Sequence, residues 1–380
     1  MSGPLVGVKV IELAGLGALP YATLKLADMG ADVIRIDRLD EVPAERVARP
    51  YSSWDRGRRS LAVDLKNPNG VAAVLRLADQ ADAFVEAFRP GVAERLGLGP
   101  DVLLDRNPAL VYGRLTGWGQ TGPLAHSAGH SLNYEAITGV IRAVGPAGGP
   151  PVPVLQLLGD FAGGGLSLAF GIVCALWESR QSGQGQVVDA AMTDGVASLA
   201  SVFYGMQKSG AHSTELGRNL FDGGAPFYAV YECADGGFLS VAPIEPHFYA
   251  LLLDKLEIDP ATVPAQYDRE RWPELRQVIA DRIRRRSRDE WCEILEGTDC
   301  CVAPVLTFDE AREYPHHRSR GTFVGDDGTE VVPVPRLSRT PGTTGSSSPW
   351  VGAESDQILA EFGFSAEEVD DLRRSGAVDG

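Results

Sequence analysis

A chain of 380 residues, 44% hydrophobic and 23% charged, holds enough apolar material for a large core and two domains. Its formal net charge of −16 argues against a nucleic-acid surface, so any anionic ligand needs a local basic patch. The five cysteines (Cys174, Cys233, Cys292, Cys300 and Cys301) lack metal-ligand spacing and include an adjacent pair ill suited to a disulfide, which points to reduced thiols in a cytoplasm.

The first 120 or so residues alternate strand-like and helix-like segments, as in a parallel sheet covered by helices. Val6 to Leu13 reads as a strand, followed by Gly15-Leu16-Gly17 and an amphipathic helix from Pro20 to Met29 that Gly30 ends. Ala31 to Asp37 is a second strand, Asn69 to Ala81 a helix, and Ala83 to Phe88 and Leu110 to Leu115 are further strands. The layout is Rossmann-like. Pro20 stands where the third glycine of a dinucleotide fingerprint belongs, which argues against nicotinamide binding.

A helix is predicted from just after Asp160 to about Ser179; its apolar run, Leu166 to Trp177, is shorter than a bilayer requires. No basic-then-apolar leader precedes Val6, and Ala377-Val378-Asp379-Gly380 carries no lipidation signal, so no membrane partner is expected. Gln186 to Ala191 reads as a strand that rejoins the sheet, and Ser209 to Gly224 as a linker. Phe227 to Cys233 and Phe238 to Val241 flank Ala234-Asp235-Gly236-Gly237, a hairpin signal. Helices over Phe248 to Leu256, Glu274 to Arg286 and Arg288 to Glu296 complete a smaller α+β unit. A second linker, Pro333 to Pro349, precedes terminal helices at Asp356 to Phe362 and Ala366 to Ser375, which have apolar spacing suited to docking on a larger body. The expected division is 1–200 as the large domain, 201–224 and 326–349 as linkers, 225–325 as the small domain, and 350–380 as helices returning to the large one.

Seven arginines (35, 38, 46, 49, 56, 58 and 59) face five acids between Arg35 and Arg59, a net positive stretch fit to anchor phosphates or, more plainly, a solvated loop. Arg38 falls just past the end of the second strand, where open α/β sheets bind ligands; Arg56 to Arg59 read as a loop, and Arg89 closes the third strand.

His130, after Gly129, opens a helical pattern, and Asp160, after Gly159, precedes a glycine-rich helix start. Neutral imidazole suits proton removal near neutrality, and free amides at a helix start suit an oxyanion. Each residue also has an ordinary reading, as a satisfied polar group or a plain N-cap. Tyr134 lies one turn after His130 on the same face, with a core role as its alternative; Glu245, beside Pro246, is a carboxylate able to orient a histidine. His247, His316 and His317 have no partner pattern.

At these residues the chain resembles the α-methylacyl-CoA racemase branch of the class III CoA-transferase superfamily. The resemblance runs through Ala31-Asp32-Val33-Ile34-Arg35-Ile36-Asp37-Arg38, Arg56-Gly57-Arg58-Arg59-Ser60-Leu61, Phe88-Arg89-Pro90-Gly91-Val92, Gly129-His130, Leu158-Gly159-Asp160-Phe161-Ala162-Gly163-Gly164-Gly165 and Ile244-Glu245-Pro246, and covers nearly the whole chain. It departs at Ser131, where that branch usually has aspartate, and at His247.

The resemblance implies an interlocked homodimer of subunits that each have a Rossmann-like large domain, built from both chain ends, and a small α+β domain. It implies an acyl-CoA substrate, with Asp160 shared by the superfamily and His130 and Glu245 marking the racemase branch. The substrate is expected along Arg38, Arg59, Leu61, Ala62, Val63, Asp64, Leu65, Arg89, Gly129, Ser131, Leu132, Asn133 and Tyr134. The expected reaction is 1,1-proton transfer at the α-carbon of a 2-methylacyl-CoA thioester, with His130 held by Glu245 on one face and Asp160 on the other. The Asp160 amide would stabilise the enolate by roughly 3 kcal/mol per donor. No metal or other cofactor is expected, since coenzyme A enters with the substrate. The alternatives are a CoA-transferase with Asp160 as nucleophile and a non-catalytic acyl-CoA-binding protein.

Overall fold

The structure is a computed structural model that describes residues 2–47, 54–325 and 328–379; Arg49 lies outside the described residues. The chain divides into two compact units, one of Met1–Thr138, Leu155–Leu199 and Phe323–Gly380, the other of Gly139–Val154 and Ala200–Thr322.

The first unit is built on β1 (Lys9–Leu13), α1 (Ala18–Asp28), β2 (Asp32–Arg38), β3 (Arg58–Val63), α2 (Pro68–Ala78), β4 (Ala83–Glu86), α3 (Val92–Arg95), α4 (Pro100–Arg106), β5 (Val111–Thr116), α5 (Ser131–Ala136), α6 (Ser167–Ser182), β6 (Val187–Ala191) and α7 (Met192–Leu199). Its six strands are ordered β3-β2-β1-β4-β5-β6, and every pair is parallel. A parallel sheet needs both faces covered, and successive residues point to opposite faces. Val10, Val33, Val85 and Val111 accordingly meet Leu19 and Leu26 of α1 and Leu168, Ile172 and Leu176 of α6. Their neighbours Ile11, Ile34, Phe84 and Tyr112 meet α2 and the C-terminal helices through Val74, Leu77, Ile358, Leu359 and Phe362. Strand order reverses between β1 and β4, and ligands of open α/β sheets bind in the crevice beyond such a point.

The sequence expectation missed β3, reading Arg56 to Arg59 as loop. Charged residues at the strand's start hide its period; burial of their side chains in ion pairs makes them strand-compatible. Pro20 is no obstacle to a helix that begins at Ala18, because the first turn leaves its amides unpaired. The second expected linker is docked: Ser346 accepts from the Gly57 amide at 2.8 Å and Thr343 donates to Asp28 at 3.1 Å.

A π-helical segment, Leu157–Leu166, runs straight into α6. Together they make a helix of 26 residues, Leu157–Ser182, whose best window has a mean hydropathy of 1.6. By length and composition it is sufficient to span a bilayer, which corrects the expectation drawn from the Leu166 to Trp177 run alone.

In the second unit, Ala229–Glu232, Phe238–Val241 and Val302–Val305 form an antiparallel sheet; the third strand was absent from the sequence reading. Helices Pro246–Lys255, Trp272–Ile283 and Arg288–Leu295 bury Leu252, Trp272, Ile279 and Trp291 in its core. Ser201–Lys208, expected within a linker, is helical, and Gly139–Val154 belongs to this unit and not to the large domain.

Candidate active site

Asp160 sits inside the π-helical segment and not at a helix N-cap as the sequence suggests. The wide turn shows where the Phe161 amide donates to the Gln156 carbonyl at 3.2 Å; π turns are rare and concentrate at functional sites. Glycines make the segment's surroundings possible. A Cβ on Gly163 would stand 2.8 Å from a Val196 methyl, and one on Gly165 would stand 2.8 Å from the Ala18 carbonyl. They admit α7 and α1.

Three residues on one face of α5, Ser131, Tyr134 and Glu135, are buried. The Ser131 hydroxyl donates to Glu135 Oε1 at 2.8 Å and accepts from the Asp160 amide at 3.2 Å, while the Gly159 amide donates to the same Oε1 at 2.8 Å. The Asp160 amide is therefore engaged, which corrects its expected role as enolate donor. Glu135 was not singled out in the sequence; its place four residues after Ser131, on the same helix face, was the available signal.

Asp160 is buried, 9% exposed as a residue. Burial pushes its pKa above the ordinary carboxylate value, the negative charge of Glu135 adds to that, and His130 opposes it. His130 is exposed at the start of α5, its amide donating to Asn133 Oδ1 at 3.0 Å. Tyr134 donates its phenol proton to the Gly129 carbonyl and lies edge-on to Trp118, with ring centroids 4.7 Å apart. A Cβ on Gly117 would stand 2.0 Å from the Tyr134 ring. A cavity of about 290 Å³ is lined by Phe88, Arg89, Trp118, Gly129, His130 and Tyr134. Leu132 and Asn133 point out of the helix as exposed residues.

A larger cleft of about 590 Å³ opens beyond the C-terminal ends of β1, β2 and β3, walled by Leu13, Arg38, Val63, Asp64, Leu65 and Phe88. Lys66, which the sequence reading passed over, also lines it. Arg38 is exposed and bonded to Asp40 at 2.9 and 2.5 Å. Leu61 and Ala62 are fully buried and outside both cavities, and the Ala62 amide is taken by Ser355.

Four arginines of the patch are taken up in ion pairs at or below the surface, while Arg38 and Arg46 stay exposed. Arg35 is paired with Asp37 and Asp55, Arg56 with Asp28, and Arg58 with Glu12 at 2.7 Å. Arg59 holds Asp32 at 2.6 Å and Glu361 at 2.7 Å. Arg59 pairs in register with Ile34, four residues before the Arg38 end of β2, so its backbone lies about 13 Å from that end along the sheet. Arg89, exposed in the smaller cavity, makes no ion pair among the described residues. Glu245 is an exposed N-cap in the second unit, ahead of the helix at Pro246.

A doubly covered parallel sheet with clefts at its strand ends is a fold of ligand-binding α/β proteins. The chain belongs to CoA-transferase family III, whose sequence model its residues 5–355 match. It is 45% identical over 369 residues to the alpha-methylacyl-CoA racemase of Mus musculus, a match covering 96% of this chain and 95% of that one. It is 44% identical over 368 residues to the Homo sapiens protein of the same name, with the same coverage. Among solved structures, a CAIB/BAIF family protein from Brucella suis is 25% identical, with a TM-score of 0.81, covering 95% of this chain and all of that one.

Proposed function

We propose that this protein is a racemase of 2-methylacyl-CoA thioesters, working by 1,1-proton transfer at the α-carbon. The observation that carries the reading is the buried Asp160 carboxyl, raised in pKa and within the electrostatic reach of the exposed His130 imidazole. A group that must both take and return a proton needs a pKa near the working pH, and burial moves a carboxyl in that direction. One group removes the proton from C2, the thioester carbonyl takes the charge as an enolate, and the other delivers a proton to the opposite face. In the reverse direction they exchange roles. Atoms balance without a metal, redox carrier or added cofactor, and coenzyme A enters and leaves with the acyl group.

The acyl-CoA is proposed to enter by the cleft at Arg38 and Lys66, whose two cations suit phosphate oxygens, and to reach His130 past Phe88 and Arg89, which line the smaller cavity. Glu245 is proposed to orient His130 in the working assembly. That assembly is proposed to be a homodimer. Supporting it is an apolar stripe on α6, with Phe170 73% and Trp177 71% exposed and Leu166 and Val173 beside them at helical spacing. The proposed location is cytoplasmic; all five cysteines are free thiols.

The test is incubation of either enantiomer of a 2-methylacyl-CoA in deuterated water. Deuterium at C2, with both enantiomers reaching one mixture, is the expected result. Retention of the C2 proton with transfer of CoA to a second acid would overturn the reading in favour of a transferase.

A further inference from the structure

Glu135 is fully buried, is absent from the scheme above, and has one oxygen, Oε2, with no hydrogen-bond partner among the described residues. A buried carboxylate left half unsatisfied costs stability, so its retention calls for a compensating role. Its other oxygen takes two donors, the Gly159 amide and the Ser131 hydroxyl, both at 2.8 Å. The same Ser131 oxygen receives the Asp160 amide at 3.2 Å. Two successive peptide N–H groups are thus tied to one carboxylate, one directly and one through a hydroxyl. Gly159 makes the approach possible: a Cβ there would stand 2.3 Å from Ser131 Oγ and 2.9 Å from Glu135 Oε1.

We propose that Glu135 is a positioning residue for Asp160: with Ser131 it anchors the Gly159 and Asp160 amides, holds the π turn open, and so sets where the Asp160 carboxyl meets the α-carbon. The inference rests on reading Asp160 as one of the two proton carriers. A polar clamp of this kind suits the first turn of the segment, where the Gly159 and Asp160 amides precede the first bond of the π ladder, from the Phe161 amide to the Gln156 carbonyl. The charge has a second consequence. The groups acting on the Asp160 carboxyl are Glu135, which disfavours its ionisation, and His130, which favours it; Tyr134 is itself raised, by burial first and by Asp160 second, with Arg89 opposing. On the other helices packed on this segment, Lys25 and Asp28 of α1 pair with one another, and Asp194 of α7 raises Asp189 by like-charge repulsion; none of the three is among the groups shifting Asp160.

Three variants of the full-length enzyme separate positioning from mere filling of space. Glu135→Gln keeps the size and one acceptor oxygen but loses the charge; Glu135→Leu loses both; Ser131→Ala removes the hydroxyl alone. The readouts are kcat and KM for racemisation in each direction, C2 deuterium exchange, and the pH dependence of kcat. Expected are a loss in kcat of about 10- to 100-fold for Glu135→Leu with KM within about twofold, and recovery of most of that loss in Glu135→Gln, since small misplacements of a catalytic group carry penalties of this order. In Glu135→Gln the acidic limb moves to lower pH in the direction where Asp160 removes the proton, because a neighbouring negative charge is gone. Ser131→Ala is expected to lose kcat without moving that limb. Wild-type kcat and an unmoved limb in both Glu135 variants would overturn the inference while leaving the racemase reading intact. Absence of label from the wild-type enzyme would overturn the racemase reading itself.

Discussion

A Cβ placed on Gly17 would stand 2.8 Å from Oδ2 of Asp160, so the missing side chain of one residue makes the room in which the carboxyl of the other stands. Gly17 also has φ +65°, a left-handed backbone that side chains resist. Gly17, in a turn that resembles the start of a dinucleotide fingerprint, makes room for a carboxylate, whereas Gly15 faces Leu19 and Ala87. Gly17→Ala is expected to lower kcat by about 10- to 100-fold through displacement of Asp160, and to cost about 1–2 kcal/mol of stability from the backbone. Racemisation kinetics and urea denaturation of the same preparation read the two effects.

His130→Ala and Asp160→Asn are each expected to lower racemisation by about 10²–10⁴-fold, the usual loss on removing an acid or base. If the two groups serve opposite faces, single-turnover deuterium exchange in each variant survives better from one enantiomer than from the other, with opposite preference. Equal loss from both enantiomers in both variants would contradict the division of labour.

Asp160 also links activity to stability. Its folded pKa is raised, so the native state holds a proton that the unfolded chain has released, and the native state is penalised as pH rises through the carboxylate range. The penalty is absent below the ordinary aspartate pKa and fully present above the raised one. Asp160→Asn is therefore expected to be more stable than wild type at neutral pH, with the advantage vanishing in acid. Urea midpoints measured from about pH 3 to 8 test the sign.

The division of the arginines predicts two unlike phenotypes. Arg58→Met leaves the buried Glu12 carboxylate without its guanidinium and is expected to cost about 3–5 kcal/mol, partly recovered when Glu12→Leu is added. Arg38→Ala and Lys66→Ala, at the rim of the cleft, are expected to leave stability within about 0.5 kcal/mol. Each should raise KM for the CoA ester by about tenfold, consistent with loss of a charge-assisted hydrogen bond. Denaturation and steady-state kinetics on the three single variants distinguish an internal tie from a phosphate contact.

For the homodimer, Phe170→Asp with Trp177→Asp places two charges on the exposed stripe of α6. Sedimentation equilibrium is expected to show a dimer for wild type and a shift toward monomer for this variant. An unchanged dimer would mean that another surface makes the interface.

Much of the fold was legible because local rules produce it. Val10 beside Ile11 and Val33 beside Ile34 are apolar on both sides of the strand, the mark of a sheet covered on both faces, and helices lie between such runs. β3 escaped notice because its opening arginines read as solvated until their partners are known: Glu12 lies 46 positions before Arg58, and Asp32 lies 27 before Arg59. The π turn at Asp160 has no sequence code of its own, since a glycine-rich helix start looks the same whether the turn is wide or regular.

The sequence by itself determined the alternation that makes a parallel α/β sheet and singled out His130 and Asp160, because side-chain periodicity, helix ends and glycine punctuation are properties of neighbouring residues. Only the tertiary structure decided which arginines stay available, which acceptor takes the Asp160 amide, and that Glu135 stands behind it. Those outcomes depend on which charges and amides are brought together across tens of residues and away from water, where an ion pair or a hydrogen bond, once made, removes both partners from other work.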